Sequence, residues 1–178
     1  MDKPVSNFNF RLMALCLKLR DLFLPRDIIL KEAQIKPRFV VLDFGCGPGS
    51  FTITAAEIVG PAGKVYALDI HPLAGQMVQK AASKKGLQNI EIINSDCTTS
   101  LKNESVDVVM LYDTFHMLSE PQAVLQELHR VLKPDGVLSF NDHHMKEKEI
   151  ISGITSSGLF RLIRKGKKGM YTFMKKLD

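Results

Sequence analysis

Apolar residues in this chain fall into short unbroken runs and longer stretches of helical spacing, and the two alternate. Over the first 37 residues the apolar positions recur every three or four places. That pattern predicts two short helices, about Phe10–Leu22 and Arg26–Ile35, separated by Pro25 and closed by Pro37, a residue that disfavours helix just before it. Phe39–Phe44 ("FVVLDF") then reads as a strand buried on both faces, being continuous, β-branched and bounded by glycine. Phe51–Val59 returns to helical spacing and stops at Gly60-Pro61. Lys64–Ile70 ("KVYALDI") is a second strand, and Leu73–Lys85 a helix stopped by Gly86, which suits the left-handed conformation past a helix end. Ile90–Asn94 and Val106–Tyr112 are the third and fourth strands. Pro121–Leu132 is a helix with proline in its first turn and a stop at Lys133-Pro134, and Val137–Asn141 is the fifth strand. Lys146–Ser156 reads as a helix weakened by its Ile-Ser-Gly-Ile-Thr-Ser-Ser composition. Phe160–Arg164 and Met170–Lys175 close the chain as two strands joined by "KGKKG", a hairpin turn.

Strands alternating with helices imply a doubly wound α/β fold, a parallel sheet covered on both faces, to which the hairpin adds an antiparallel strand. No repeat, low-complexity tract or linker divides the chain. The expectation is one domain over residues 1–178, with a helical lid or flank at 1–37 and a Rossmann-like core at 38–178.

Composition narrows the function classes. At 178 residues the chain can bury a core without disulfides or metals. No apolar run reaches the roughly eighteen residues of a membrane span, and Phe8–Leu24 is interrupted by Arg11, Lys18 and Arg20, unlike a signal peptide. Three scattered cysteines, Cys16, Cys46 and Cys97, argue against a disulfide framework or zinc site and for a reducing cytoplasm. The net charge of +5 is local: from Arg161 onward stand seven basic residues and one acid, leaving 17 basic and 18 acidic groups elsewhere. Solvated lysines on an edge strand account for that cluster, and a nucleic-acid substrate is disfavoured.

The chemistry concentrates in "LDFGCGPGSF". Gly45, Gly47 and Gly49 form the first strand-to-helix turn, where doubly wound sheets bind ligands and where glycine lets the backbone approach one closely. To that extent a dinucleotide site fits as well. However, the spacing is G-x-G-x-G, with Ser50 where the dinucleotide fingerprint wants its third glycine. Asp43, at the strand end, would repel a pyrophosphate and attract an ammonium or sulfonium. Asp69 ends the second strand, where a carboxylate can accept both hydroxyls of a ribose. S-adenosylmethionine has the ribose and the cation and lacks the phosphate.

With these features the chain resembles the class I, seven-stranded S-adenosylmethionine-dependent methyltransferases, particularly the small ubiquinone/menaquinone-biosynthesis-like group often called type 11. "VLDFGCGPG" matches their first motif and "VYALDIHPLAGQMVQKAA" the acid-ended second strand and its helix. "NSDCTTSLKNESVDVVMLYDTFHML" resembles the adenine-contacting acid and fourth strand, and "VLQELHRVLKPDGVLSFND" the helix and fifth strand. The resemblance covers about Arg26 to Lys176 and implies a mostly parallel sheet ordered 3-2-1-4-5-7-6. It implies a cofactor turn of Asp43, Gly45, Cys46, Gly47 and Gly49, with Asp43, Gly45 and Gly47 lining the methionine end, Asp69 on the ribose and Ile70 packed on adenine. Asp96 would accept from the adenine amino group with Cys97 beside it, and Tyr112 would pass close to the methionine moiety. S-adenosylhomocysteine would be the product.

The acceptor would be a small molecule, with a hydrophobic one in view. Methyl transfer from a sulfonium is an in-line displacement that positioning alone can drive far, and a base is needed only where the acceptor must lose a proton. Candidates follow the fourth and fifth strands: Asp113, Thr114 and His116, then Asp142, His143 and His144. Among these, His116, Asp113 and His143 are the catalytic candidates. His116 stands in an apolar-His-apolar stretch that in related sequences packs by the cofactor. Neighbouring residues at a strand end point oppositely, so His143 and His144 form no metal pair, and one of them is expected to face the acceptor. His71 is expected beside the adenosine and His129 on a helix surface. The N-terminal helix, with Phe8, Phe10, Leu12, Met13, Leu15, Leu19, Phe23 and Leu24, is read first as a lid, then as flank packing, then as a peripheral membrane contact. Oligomeric state is not legible. The alternatives are a methyltransferase acting on RNA or protein, which would need the basic hairpin near the strand ends, and a cofactor-binding module without turnover.

Overall fold

In the computed structural model, which describes residues 4–23 and 26–176, the alternation becomes one seven-stranded sheet. Two helices come first, α1 (Asn7–Phe23) and α2 (Arg26–Glu32), followed by β1 (Val40–Phe44), α3 (Ser50–Val59), β2 (Lys64–Asp69), α4 (Pro72–Lys84) and β3 (Ile90–Asn94). The chain continues through β4 (Val106–Tyr112), a 3-10 turn at Phe115–Met117, α5 (Pro121–Val131), β5 (Leu132–Asn141), α6 (Glu147–Thr155), β6 (Phe160–Lys165) and β7 (Tyr171–Lys175). The strand order is β3-β2-β1-β4-β5-β7-β6, with parallel pairing through β5 and antiparallel pairing of β7 to both β5 and β6.

The central strands are apolar on both faces because each face is roofed by helices. Leu42, Val109 and Leu111 point to one side with Leu125 and Leu128 of α5, Ile150 of α6 and Phe140. Val41, Val108 and Met110 point to the other, with Ala55 and Ala56 of α3 and Leu30 of α2. Adjacent residues of one strand therefore serve opposite layers.

Beyond shifts of a few residues at element ends, three departures from the sequence expectation have a structural cause. Lys133-Pro134 was expected as a break between α5 and the fifth strand, but β5 begins at Leu132, directly after the helix. Val106 pairs with Leu132 and Val108 with Val137, so the intervening residues bulge out of the ladder, where a proline has no N–H to lose. Asp107 secures the bulge, accepting from Lys133 Nζ at 2.6 Å and from Val40 N at 2.7 Å. The second helix stops at Glu32 rather than Ile35, and the chain turns through left-handed Gln34 (φ 58°) and Arg38 (φ 71°) before β1. The 3-10 turn after β4 was not anticipated, because the apolar-His-apolar stretch has too few residues to show a period. Pro25 and Leu24, which entered the reading of the N-terminal helices, lie outside the described residues.

Helix α1 crosses the carboxyl ends of the strands. Phe10 stacks on His71, just past β2, with ring centroids 4.0 Å apart and planes 16° from parallel. Arg20 pairs with Asp113, just past β4, at 3.6 Å. Between these points α1 closes one wall of a cavity of about 410 Å³.

Candidate functional site

The cavity is built on the β1–α3 turn. Gly45 N and Cys46 N both donate to Leu68 O, at 2.8 and 2.9 Å, which fastens the turn to the end of β2. Gly45 adopts φ 79°, and a Cβ there would strike the Thr114 side chain; Gly49 adopts φ 90°, and a Cβ there would lie 2.7 Å from Val78 Cγ2. Both positions need glycine for conformation and for space.

Asp69 organises the floor. Its Oδ2 accepts from Gly47 N and its Oδ1 from His71 N, both at 2.8 Å, so a side chain at the end of β2 holds the turn that follows β1. A carboxylate offers about four lone-pair directions, so two are left beyond these contacts on a residue that lines the cavity. Burial pushes its carboxyl pKa up, against the opposing effect of these two N–H donors. His71 Nδ1 accepts from Leu73 N at 3.1 Å and caps α4, which leaves Nε2 as the donor to Val5 O at 3.0 Å. His71 lies on the cavity wall, with its ring committed to α1 and α4.

Seven of the ten residues expected at the cofactor reach the cavity wall: Gly45, Cys46, Gly47, Asp69, Ile70, Asp96 and Tyr112. Asp43, Gly49 and Cys97 do not. Gly49 packs on Val78 of α4, and Cys97 turns toward the apolar layer under α5. Asp43 points behind the turn, not into it, and accepts from Thr52 Oγ1 of α3 at 2.6 Å. Burial pushes its pKa up to about 7, with the Thr52 hydrogen bond opposing and Asp69 reinforcing the shift. Tyr112 contributes its ring, edge-on to Phe51 at 4.8 Å, while its hydroxyl is held by Ser139 Oγ at 2.7 Å in the core.

The raised value for Asp43 carries a stability prediction. A carboxyl whose folded pKa lies above its unfolded value stabilises the fold while protonated, and that contribution disappears as pH rises from about 4 to about 7. Asp43→Asn keeps an acceptor for Thr52 and cannot ionise. The difference in melting temperature, variant minus parent, should rise between pH 4.5 and pH 8, by at most about 1.4 kcal/mol of stability per pH unit. Thermal denaturation at the two pH values checks this, and a flat difference would remove the buried proton.

Opposite the turn stands a second cluster. The Asp142 side chain is fully enclosed; its Oδ2 accepts from His116 N at 3.2 Å and meets His116 Nδ1 at 2.9 Å, and its Oδ1 accepts from His144 N at 3.0 Å. The His116 and His144 rings lie 4.3 Å apart, and both line the cavity. His143 is turned outward, 58% exposed, with its N and Nδ1 on Asp113 Oδ1 at 3.0 and 2.7 Å. One of the two adjacent histidines does face the cavity, but it is His144; the candidate His143 is corrected accordingly. Burial would raise the pKa of Asp113, but the hydrogen bonds from His143 and the charges of His143 and Arg20 outweigh it and hold that carboxyl below the usual range. Asp113 lies on the wall at φ 49°, a left-handed turn that separates β4 from the 3-10 turn carrying His116.

Sequence reasoning missed two parts of this geometry. Asp142 was grouped with the histidines without its orienting contact, although an acid directly before two histidines was the available signal. Arg20 and Leu17 of α1 also reach the wall. His129 is not a plain surface residue, since its Nε2 meets Lys176 O at 2.9 Å and its ring packs edge-on to Phe160. The basic hairpin turn does stand at the carboxyl edge, because Phe140 near the end of β5 pairs with Tyr171 at the start of β7. Yet Arg164 is paired with Glu32 and Lys165 with Glu147, and no residue of the hairpin lies on the cavity wall.

A family profile described as "Methyltransferase domain" matches residues 35–173. A demethylmenaquinone methyltransferase of Geobacillus stearothermophilus is 30% identical over 113 residues, covering 63% of this chain and 48% of that protein. The chain therefore spans about half the length of the curated relatives it matches. The crystal structure of a SAM-dependent methyltransferase from Aquifex aeolicus, 28% identical, superposes with a TM-score of 0.76 over 88% of this chain and 97% of its own. A Methanococcus maripaludis crystal structure, 16% identical, covers 100% of this chain and 98% of its own with a TM-score of 0.80 and shows the shared fold.

Proposed function

The chain belongs to the class I S-adenosylmethionine-dependent methyltransferases, and on that premise we propose that it methylates a small, largely apolar acceptor that loses a proton to His116. The observation that carries this reading is that the glycine turn with Asp69 and the Asp142-held His116 open into one cavity.

The wall suits the cofactor. It presents the carboxylates of Asp69, Asp96 and Asp113 against one guanidinium, Arg20, itself paired with Asp113. Such a wall attracts a cation and repels a diphosphate. Asp69 would take the ribose hydroxyls, Ile70 and Asp96 the adenine, and the Gly45–Gly47 backbone the methionine end, while Asp43 acts from behind by shaping the turn. When bound, S-adenosylmethionine supplies an electrophilic methyl group.

The remaining work is positioning and proton removal by the chain's own residues. Well-oriented reactants gain about 7–11 kcal/mol. The Asp142 oxygen that accepts from His116 N also stands 2.9 Å from its Nδ1, so it is placed to receive the Nδ1 proton and to leave Nε2 toward the acceptor as the nitrogen with a free lone pair. His144, its ring 4.3 Å away and tilted 36° to that of His116, narrows the acceptor's place. Phe10, Met13 and Leu17 make α1 an apolar lid over the same space. The relatives named as demethylmenaquinone methyltransferases support a small-molecule acceptor.

Calorimetric titration with S-adenosylmethionine and S-adenosylhomocysteine, followed by methyl-labelled turnover against hydroxyl-, amine-, thiol- and carbon-acid acceptors and RNA, tests the reading. Label should enter an apolar acceptor bearing an ionisable proton. Tighter binding of NADH than of S-adenosylhomocysteine, or label in RNA alone, would overturn it.

A further inference from the structure

Helix α1 has two apolar faces, and the cavity uses only one. Phe10 and Ala14 are buried and Met13 and Leu17 look into the cavity, but Phe8, Leu12, Leu15 and Leu19 are 75%, 53%, 55% and 53% exposed on the far side. Their spacing, four-three-four, places them in one narrow row along the helix. Arg11 and Lys18 flank the row on one side, about one turn and about three turns from its start. Exposed rows of this size mark contact surfaces.

A seam of this spacing can pair with its own copy, as in a coiled coil. The charges oppose that. No acid stands between Pro4 and Arg20, so two such helices would bring Arg11 and Lys18 together with no acid on that stretch to answer them. An anionic surface answers both. The same carboxyl edge of the sheet also carries the exposed Lys167 and Lys168 of the β6–β7 turn and, at the cavity rim, Met117, 61% exposed. Basic groups, an apolar row and the cavity's own rim thus occupy one edge.

We propose that this edge docks on an anionic lipid surface, with the outer row of α1 entering the headgroup boundary and Arg11, Lys18, Lys167 and Lys168 against the headgroups. The docked helix is also the cavity wall, so an acceptor dissolved in the bilayer would reach the cavity across α1 without passing through bulk water. The docking itself does not rest on the identity of the acceptor or on turnover.

The test is co-sedimentation of the full chain with vesicles of phosphatidylcholine alone and of phosphatidylcholine with equal phosphatidylglycerol, at low and high salt. Binding should require the anionic lipid and weaken with salt, since exposed charges are screened over about 10 Å at 0.1 M and about 3 Å at 1 M. Arg11→Glu with Lys18→Glu should weaken it by about fivefold or more for each basic residue lost. Leu12→Glu with Leu15→Glu should abolish it, and both variants should bind S-adenosylhomocysteine as the parent does, because none of the four side chains lines the cavity. Equal binding to both vesicles, no vesicle binding, or binding untouched by the charge reversals would overturn the proposal. So would a dimer in light scattering that Leu12→Glu with Leu15→Glu dissolves, which would assign the row to a second copy.

Discussion

Asp69→Ala should weaken binding of S-adenosylmethionine and S-adenosylhomocysteine about 30- to 1,000-fold while leaving the protein folded. The residue is the proposed grip on the ribose, and it also receives the N–H groups of Gly47 and His71. Hydrogen bonds to a charged group contribute about 1.5–3 kcal/mol each, and partial replacement by water leaves a net loss of about 2–4 kcal/mol for two. The Gly47 N–H loses its partner at the same time, so the turn loosens just where the ligand must lie. Asp69→Asn should fall between parent and alanine, because its amide oxygen still accepts but carries no charge. A pH series adds an independent signature. Burial raises the Asp69 carboxyl, so its ionised form, and the affinity with it, should be lost on acidification at a higher pH than for an ordinary carboxylate. Titration calorimetry on parent and both variants reads all three effects. Unchanged affinity in Asp69→Ala would detach the acid from the cofactor and end the assignment of the turn.

His116→Gln should lower kcat by about 10²- to 10⁴-fold with little change in cofactor affinity, the range for removing a positioned base. Asp142→Asn should behave similarly though the residue touches neither substrate, because it acts through His116. The enclosed carboxylate of Asp142 accepts from the His116 backbone and meets its Nδ1, and an amide placed there can present its NH₂ and turn the ring or its tautomer. Imidazole added to His116→Ala should restore part of kcat, which a purely packing role would not allow. His143→Gln should leave kcat within about twofold, since that ring lies outside the cavity on Asp113, where surface substitutions have small effects. If His116→Gln retained activity within about threefold of the parent, transfer would run on positioning alone and the acceptor would need no base.

The contrast between His116 and His143 shows where sequence reading stopped. Both follow strand ends, both stand next to an acid in the structure, and nothing in the order of residues separates them. Their fates are set by two turns: Asp113 at φ 49° swings the 3-10 turn so that His116 enters the cavity, and Asp142 binds His144 N so that the next histidine faces inward. Asp43 is the complementary case. Its place at the end of β1 was legible, but its direction was not, because adjacent strand residues face opposite layers and only the helix above, with Thr52, decides which side receives the carboxylate.

Local order alone determined a good deal in this protein. The change of apolar period from runs to helical spacing set out the parallel strands and their covering helices, and the glycine spacing with an acid ending the second strand located the turn on which the cavity is built. Those features are short-range, since backbone conformation and side-chain alternation depend on neighbours in the chain. The tertiary structure decided which carboxylate reaches the cavity, which histidine is held by Asp142, and that α1 closes the site with one face while exposing an apolar row on the other. Each of these depends on contacts between residues far apart in sequence, such as Phe10 with His71, Arg20 with Asp113 and His116 with Asp142. Spacing along a chain carries no record of which distant partner packing will supply.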